Sequence, residues 1–369
     1  MYYLHGGAGV PNFGDELIVR QWLDFLADKV KGPIILPRMR KNPVTVSGMR
    51  GKVLKKLFAK QYPNVNYSGA LCGYQSKLPK GYWSSFQAGF TFFDDGKKLK
   101  GAEEKRILVA QVFHLHGGGY INTLWPNHAF YIGFVAALKR KTGCRIIGTG
   151  LGLAPAPVPP EEIRDAFAEA LIAFDAIEVR DKASFDFVHS TSNGIANVTL
   201  GLDDIFLSPP KIKAGPKSFH MSLHSNKGTD EIVTQLDLDF VDSFERKIFW
   251  QCHYRDVARY NELKEKIPNL ECLDVMSLTH DPLPIGPDDF MVTSRFHPHM
   301  QSSRSGISGQ YIAPWEYSEN KHSSVLALGS QFSRFPQMNN EPSLKTKELD
   351  PTRVQQKQTY WDTEIGKFL

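Results

Sequence analysis

Arg295 and His297 stand two residues apart in the stretch Asp289-Phe290-Met291-Val292-Thr293-Ser294-Arg295-Phe296-His297-Pro298-His299. A guanidinium offers a fixed fork of donors to a carboxylate or phosphate, and an imidazole gives or takes a proton near neutral pH. Together they suit an anionic substrate that also needs a proton moved. The same residue types also serve as a salt-bridged strand end and a satisfied polar side chain, so their chemistry depends on a fold that turns both into one pocket. A third candidate, Arg180, closes the run Ala176-Ile177-Glu178-Val179-Arg180-Asp181. Two glycine-rich stretches join them: Gly6 to Glu16, containing Asn12, Gly14 and Asp15, and His116-Gly117-Gly118-Gly119. Glycines there let a ligand approach backbone N–H groups closely, making a cradle for an anion or a sugar; a loop that needs glycine for geometry alone reads the same way. Neither stretch continues into Gly-Lys-Ser/Thr, and neither has the G-x-G-x-x-G spacing of a dinucleotide loop. Asp15 and His116 are the candidates for deprotonating a hydroxyl, although Asp15 equally suits a helix start.

These residues fall at corners where an apolar strand gives way to a helix. Phe290-Met291-Val292 reads as a buried strand, with Pro298 in the first turn of the following helix. Tyr2-Tyr3-Leu4 is a strand before a helix whose apolar face carries Leu17, Ile18, Trp22, Leu23 and Leu26. Arg106 to Leu115 reads as a buried strand, Phe130 to Lys141 as a helix, and Arg145 to Gly148 as a strand ending in the turn Thr149 to Gly152. A helix from about Pro160 to Phe174 follows, then the strand ending at Arg180, with Asp181 capping a helix from Lys182 to Val188. Repeats of strand, corner and helix predict a parallel, doubly wound sheet over residues 1–208. Ser208 to Pro216 reads as a linker. A smaller α/β domain over 217–330 has strands Phe219 to Leu223, Arg246 to Cys252 and that at Phe290, with helices near Thr229 to Asp242 and Asp256 to Lys266. Carboxyl ends of parallel strands line ligand crevices, so two such domains facing across a cleft form the expected site. Residues 331–369 form a polar tail that either packs on the first domain or stays loose.

Composition bounds the class. At 369 residues, 41% hydrophobic and 22% charged, the chain is globular with two cores, and no apolar run reaches the roughly 20 residues of a membrane span. The start has no signal-peptide pattern, and four scattered cysteines form neither a disulfide framework nor a zinc site, so a reducing cytoplasm is expected. No cluster has metal-ligand spacing, and no metal or cofactor is expected. Between Lys29 and Phe93 there are twelve lysines and arginines and no acid. Within that stretch Met49, Val53, Leu57 and Lys60 fit a basic amphipathic helix, which suits an anionic membrane face better than nucleic acid and equally suits an ordinary solvated face.

Asn12-Phe13-Gly14-Asp15-Glu16, His116-Gly117-Gly118-Gly119, Val179-Arg180-Asp181, Ser294-Arg295-Phe296-His297 and Tyr317-Ser318-Glu319-Asn320-Lys321 occur in the order seen in polysaccharide pyruvyl transferases, which the chain resembles over roughly Met1 to Leu326. The resemblance implies two Rossmann-like domains arranged as in a GT-B glycosyltransferase, with phosphoenolpyruvate placing a pyruvate ketal on two hydroxyls of a cell-surface or exopolysaccharide precursor. It implies that Arg180, Arg295, Phe296 and His297 bind phosphoenolpyruvate and that His297 is the main acid/base. Asn12, Gly14, Gly117, Gly118 and Gly119 would then form the acceptor or anion loop. A polyprenyl-diphosphate-linked acceptor at the inner membrane face would give the basic stretch a peripheral membrane role. Phe296 and Pro298 stand where other residues are common in that family. Two other classes fit the same elements, a GT-B glycosyltransferase with a nucleotide-sugar donor and a non-catalytic sugar-binding module.

Overall fold

The computed structural model describes residues 1–7, 12–37, 62, 64–68, 78–95, 105–225, 229–336 and 352–367. Among them two parallel sheets stand out. The first orders its strands β3-β2-β1-β4-β5-β6-β7, where β1 is Tyr2–His5, β2 Ile34–Pro37, β3 Val65–Ser68, β4 Val112–Leu115, β5 Arg145–Leu151, β6 Ala176–Val179 and β7 Val198–Leu200. The second repeats that order as β10-β9-β8-β11-β12-β13, with β8 Ser218–Ser222, β9 Arg246–Trp250, β10 Glu271–Leu273, β11 Phe290–Thr293, β12 Ser308–Tyr311 and β13 Ser333–Arg334. Every neighbouring pair runs parallel. Each sheet reverses its winding in the middle, between β1 and β4 and between β8 and β11, and such switch points open a crevice at the strands' carboxyl ends.

Helices connect the strands: α1 Phe13–Leu26, α2 Tyr82–Phe90, α3 Phe130–Thr142, α4 Glu161–Ile172, α5 Lys182–Thr191, α6 Asp230–Thr234, α7 Leu238–Asp242, α8 Val257–Lys266, α9 Val275–His280, α10 Phe296–Arg304, α11 Glu316–Ala327 and α12 Thr352–Gly366. The strands are buried on both faces, as β1, β4, β6, β8 and β11 are along their whole length, which is what helices on both sides of a parallel sheet require. One apolar cluster runs through both halves, joining Phe13, Trp22 and Leu23 of α1 with Trp250, Met291 and Met300 and with Trp361 of α12.

The two switch points touch. The Phe13 N–H donates to the Cys252 carbonyl at 2.8 Å, and Asn12 forms an antiparallel bridge with His253. From the other side, Arg304 of α10 donates to the carbonyls of Ile205 and Ser208, both at 2.6 Å, and lies over the Phe206 ring. A buried guanidinium spent on main-chain oxygens fixes one half against the other.

Several expectations are corrected. Arg106–Val109 is a 3-10 turn and only Val112–Leu115 is strand; Val109 is 65% exposed, so the apolar run does not enter the sheet as a whole. Strand β5 continues through Thr149 and Gly150 to Leu151. The segment read as one helix from Thr229 to Asp242 is two, because Asp237 restarts the chain by capping α7 through the Phe240 N–H. Strands β7 and β10, of 3 residues each, and helix α9, of 6, are too short for a periodic signal and were not expected. The tail is resolved by Trp361 and Ile365, which bury α12 in the core cluster. The basic helix expected near Met49 to Lys60 lies outside the described residues, as do Gly9, Val10 and Pro11. Among the described residues no helix is long and apolar enough to cross a membrane.

Candidate active site

Where the sheets meet, α1 begins on extended Asn12, and Gly14 lies in its first turn. A Cβ on Gly14 would fall 1.8 Å from Nδ1 of His297, so the imidazole of the second half rests directly on the backbone of the first. Only glycine permits that approach. His297 follows β11 on the first turn of α10, as the strand-to-helix reading expects. Its Nε2 is 3.8 Å from the Asp203 carboxylate, within electrostatic reach but beyond a hydrogen bond, and has no hydrogen-bond partner among the described residues.

Arg180 sits just past β6, freed by Asp181, whose side chain caps α5 by accepting from the Ser184 N–H at 2.8 Å. Its guanidinium donates to Asp203 at 2.7 Å with both side chains almost wholly buried, and it lies 4.7 Å from the centre of the Phe296 ring. Burial acts to lower the Arg180 pKa, but Asp203, Asp181 and Tyr317 more than offset it, and the cation is reinforced. Burial likewise raises Asp203, and His297 and Arg180 overcome it, so its carboxyl stays well below the usual range.

The floor is the glycine run after β4. A Cβ on Gly119 would lie 2.7 Å from Arg180 Nη2, 3.0 Å from the Tyr317 hydroxyl and 3.5 Å from Lys321 Cε. Arg180, Tyr317 and Lys321 therefore converge on one point. Tyr317 and Lys321 are four residues apart on α11, hence on one helix face, and the ammonium lies 4.1 Å over the phenol ring. The phenol donates to the Gly119 carbonyl at 3.1 Å. Lys321 is partly exposed, yet protein surrounds its ammonium. Burial first, and then Arg180 and Arg295, pull its pKa down to about 7, with Asp15 and Asp203 opposing.

Arg295 approaches from the second half, paired with buried Asp256, and its Nε has no partner among the described residues. Asp15 accepts from Asn12 Nδ2 at 2.9 Å. Burial raises its carboxyl above the ordinary range, with His297, Lys321 and Arg180 pulling the other way. The expected residues Asn12, Gly14, Asp15, Gly118, Gly119, Arg180, Arg295, Phe296 and His297 are thus gathered at one junction. Two others lie beneath it. His116 is fully buried with its ring against Gly6, and desolvation lowers it to about 4, so it is a neutral imidazole below the floor. The Gly117 N–H is committed to Asp204 at 2.7 Å.

Sequence reasoning missed Asp203 and Asp256, which hold the two arginines, and gave Tyr317 and Lys321 no role. The signals were present: two adjacent acids, Asp203 and Asp204, before an apolar run, and an aromatic and a lysine at helical spacing.

A family model described as polysaccharide pyruvyl transferase matches residues 12–282. That span includes Asp15, the glycine run, Arg180 and Asp203 and ends before Arg295, His297 and Lys321. Among curated proteins none gives a significant match. Similar solved structures include a putative UDP-N-acetylglucosamine 2-epimerase from Listeria monocytogenes, 9% identical with a TM-score of 0.51, covering 98% of this chain and 88% of that one. Another is S. aureus MnaA with UDP, 11% identical with a TM-score of 0.50, covering 99% and 96%. At such identities the likeness is one of fold, two facing α/β domains of the GT-B kind.

Proposed function

Because the chain belongs to the polysaccharide pyruvyl transferase family, we propose that it moves the pyruvyl group of phosphoenolpyruvate onto two hydroxyls of one sugar, closing a cyclic ketal and releasing phosphate. The observation that carries this reading is the meeting of three cations, Arg180, Arg295 and Lys321, with the imidazole of His297. Lys321 feels both arginines, and His297 rests at the seam beside Asp203. A small donor bearing a carboxylate and a phosphate matches three converging cations, and the arginine forks fix its orientation.

In the first step a sugar hydroxyl gives its proton to the Asp15 carboxylate as its oxygen bonds to the central carbon of the donor, while a second proton joins the methylene carbon and turns it into a methyl group. His297 delivers that proton, a contribution of about 100- to 10,000-fold where general acid catalysis operates. Asp203, kept ionised by His297 and Arg180, lies 3.8 Å from the ring nitrogen. In the second step the other hydroxyl bonds to the same carbon, the bond to phosphate breaks, and that hydroxyl's proton leaves with the phosphate or returns to His297. The cations stabilise charge growing on the departing phosphate. Asp15 fits the base role because burial keeps its carboxyl within reach of a proton.

Phosphate release from phosphoenolpyruvate, measured against a panel of hexosides, tests the reading. Wild type is expected to release phosphate only with an acceptor, and Arg295→Ala and His297→Ala to fall by at least 100-fold while staying folded. If phosphoenolpyruvate neither turns over nor raises the melting temperature, the donor assignment fails, and nucleotide sugars become the donors to try.

A further inference from the structure

Six tryptophans occur in the chain. Trp22, Trp250 and Trp361 are fully buried and Trp83 packs against the first core, whereas Trp125 is 45% and Trp315 is 43% exposed. Both exposed indoles lie at the mouth of the same cleft. Trp125, on the loop after the glycine run, has its ring 6.1 Å from that of Tyr317. The Tyr317 hydroxyl accepts from Asn122 Nδ2 at 3.3 Å, and Asn122 Oδ1 accepts from the Leu124 N–H at 2.9 Å. Trp125 is therefore tied across the cleft to the residue that carries Lys321 over its ring. Trp315, on extended backbone just before α11, lies 6.3 Å from His224. His224 is 2.7 Å from the hydroxyl of Ser294, the residue before Arg295. Each indole is thus one ring away from the charged cluster, Trp125 on the first half and Trp315 on the second. Leu124, 51% exposed, widens the apolar rim.

We propose that Trp125 and Trp315 form the acceptor platform, stacking on the apolar C–H face of a hexoside so that its hydroxyl edge points at Arg180, Lys321 and His297. The proposal rests on the transferase reading. A three-carbon anion offers no face to stack on and is satisfied by the cations, so the aromatic rim is left for the larger partner. A pyranoside has the matching shape, with an apolar face for the ring and a polar edge for the cluster. Exposed aromatic surface bordering a polar cleft marks ligand contact rather than core. A rim on both halves also means that the acceptor spans the seam, so its two hydroxyls reach the donor only where both halves are in register.

Methyl hexosides serve as probes, since they bring no aromatic group of their own. Trp125→Ala and Trp315→Ala each raise the acceptor KM roughly tenfold while leaving the phosphoenolpyruvate KM within about twofold, and Trp→Phe at either position recovers most of the loss. Both side chains are exposed, so the variants keep their core. Binding of the same methyl hexoside, read by saturation-transfer NMR, weakens in both alanine variants whether or not turnover is seen. Unchanged hexoside binding in both alanine variants overturns the platform and leaves the transferase reading standing. Absent wild-type turnover with tryptophan-dependent hexoside binding supports the platform and sinks the reaction. Tryptophan-dependent binding of UDP in place of hexoside overturns the acceptor assignment.

Discussion

The two halves of the site each present an arginine paired with a buried carboxylate, and the pairs are held in different ways. Behind Arg180–Asp203 stands an ion network reaching three layers deep. Asp204, next in the chain, accepts from the Gly117 N–H and the Thr149 hydroxyl, both at 2.7 Å, and meets Lys357 at 3.0 Å. Lys357, on α12, also donates to Glu178 at 2.5 Å, and Trp361 donates to the same carboxylate at 2.7 Å. Behind Arg295–Asp256 there is a backbone cap, the His253 N–H donating to Asp256 at 2.9 Å, with His253 and His224 held neutral by burial and by Arg295. The carboxyl groups respond in opposite directions. Burial raises both, but His297 and Arg180 overturn it at Asp203, whereas Arg295 does not at Asp256. One half is a braced anvil. The other is a corner whose charge is less fully compensated: burial outweighs Arg295 at the Asp256 carboxyl, and Arg295 Nε has no partner among the described residues.

Removing the brace is expected to have the largest effect. Lys357→Met leaves Glu178 and Asp204 buried without their cation, which costs about 3–5 kcal/mol. Asp256→Ala leaves Arg295, 17% exposed, free to turn toward the cleft, and the lost charged hydrogen bond costs about 1.5–3 kcal/mol. Denaturant unfolding of the two variants measures both. Equal losses would erase the distinction between the halves. Adding Glu178→Gln to Lys357→Met should recover part of the loss, because it removes one of the stranded charges.

Much of this was legible in the sequence because it follows from periodicity and corner chemistry. The Arg295–His297 corner, the Asp181 cap and the glycine run after β4 all appear where apolar strands end, and a doubly wound fold must put such ends in the crevice. What was not legible depends on distant partners. Nothing near Asp203 announces that it will meet Arg180 from one side and His297 from the other, since the second contact forms only when two domains close. The tail illustrates the same point. Read by composition it is polar, yet three side chains, Lys357, Trp361 and Ile365, are buried at helical spacing, and two of them finish a network begun at Glu178. His116 misled for the opposite reason: its residue type suits catalysis, and only packing against Gly6 puts it beneath the floor.

The seam between the halves gives the next effect. Gly14→Ala places a methyl group inside the present position of the His297 ring, so either the imidazole moves or the halves part. Overpacking of this kind costs about 1–3 kcal/mol, and displacement of a catalytic group by about 1 Å lowers turnover roughly 100-fold. Turnover should therefore fall further than the melting temperature suggests. A variant with near-normal turnover would count against the proposed role of His297 at the seam.

The smallest effect is the most diagnostic of the uncompensated half. Lys321 has its pKa lowered from 10.5 to about 7, and in the proposed reaction the ammonium is the form that would hold a donor anion. Donor affinity must then fall as pH rises through about 7, by up to roughly tenfold per pH unit while Lys321 alone controls binding. Stability runs the other way. Between about pH 7 and 10.5 the unfolded chain binds the Lys321 proton and the folded one does not, so this group makes unfolding harder as pH rises through that window and contributes no slope below it. Lys321→Met should flatten both trends. Because phosphoenolpyruvate titrates identically in both assays, the difference between the two KM profiles from pH 6 to 9 belongs to the lysine. Parallel profiles would mean that the arginines hold the donor without it, and the uncompensated half would consist of Arg295 alone.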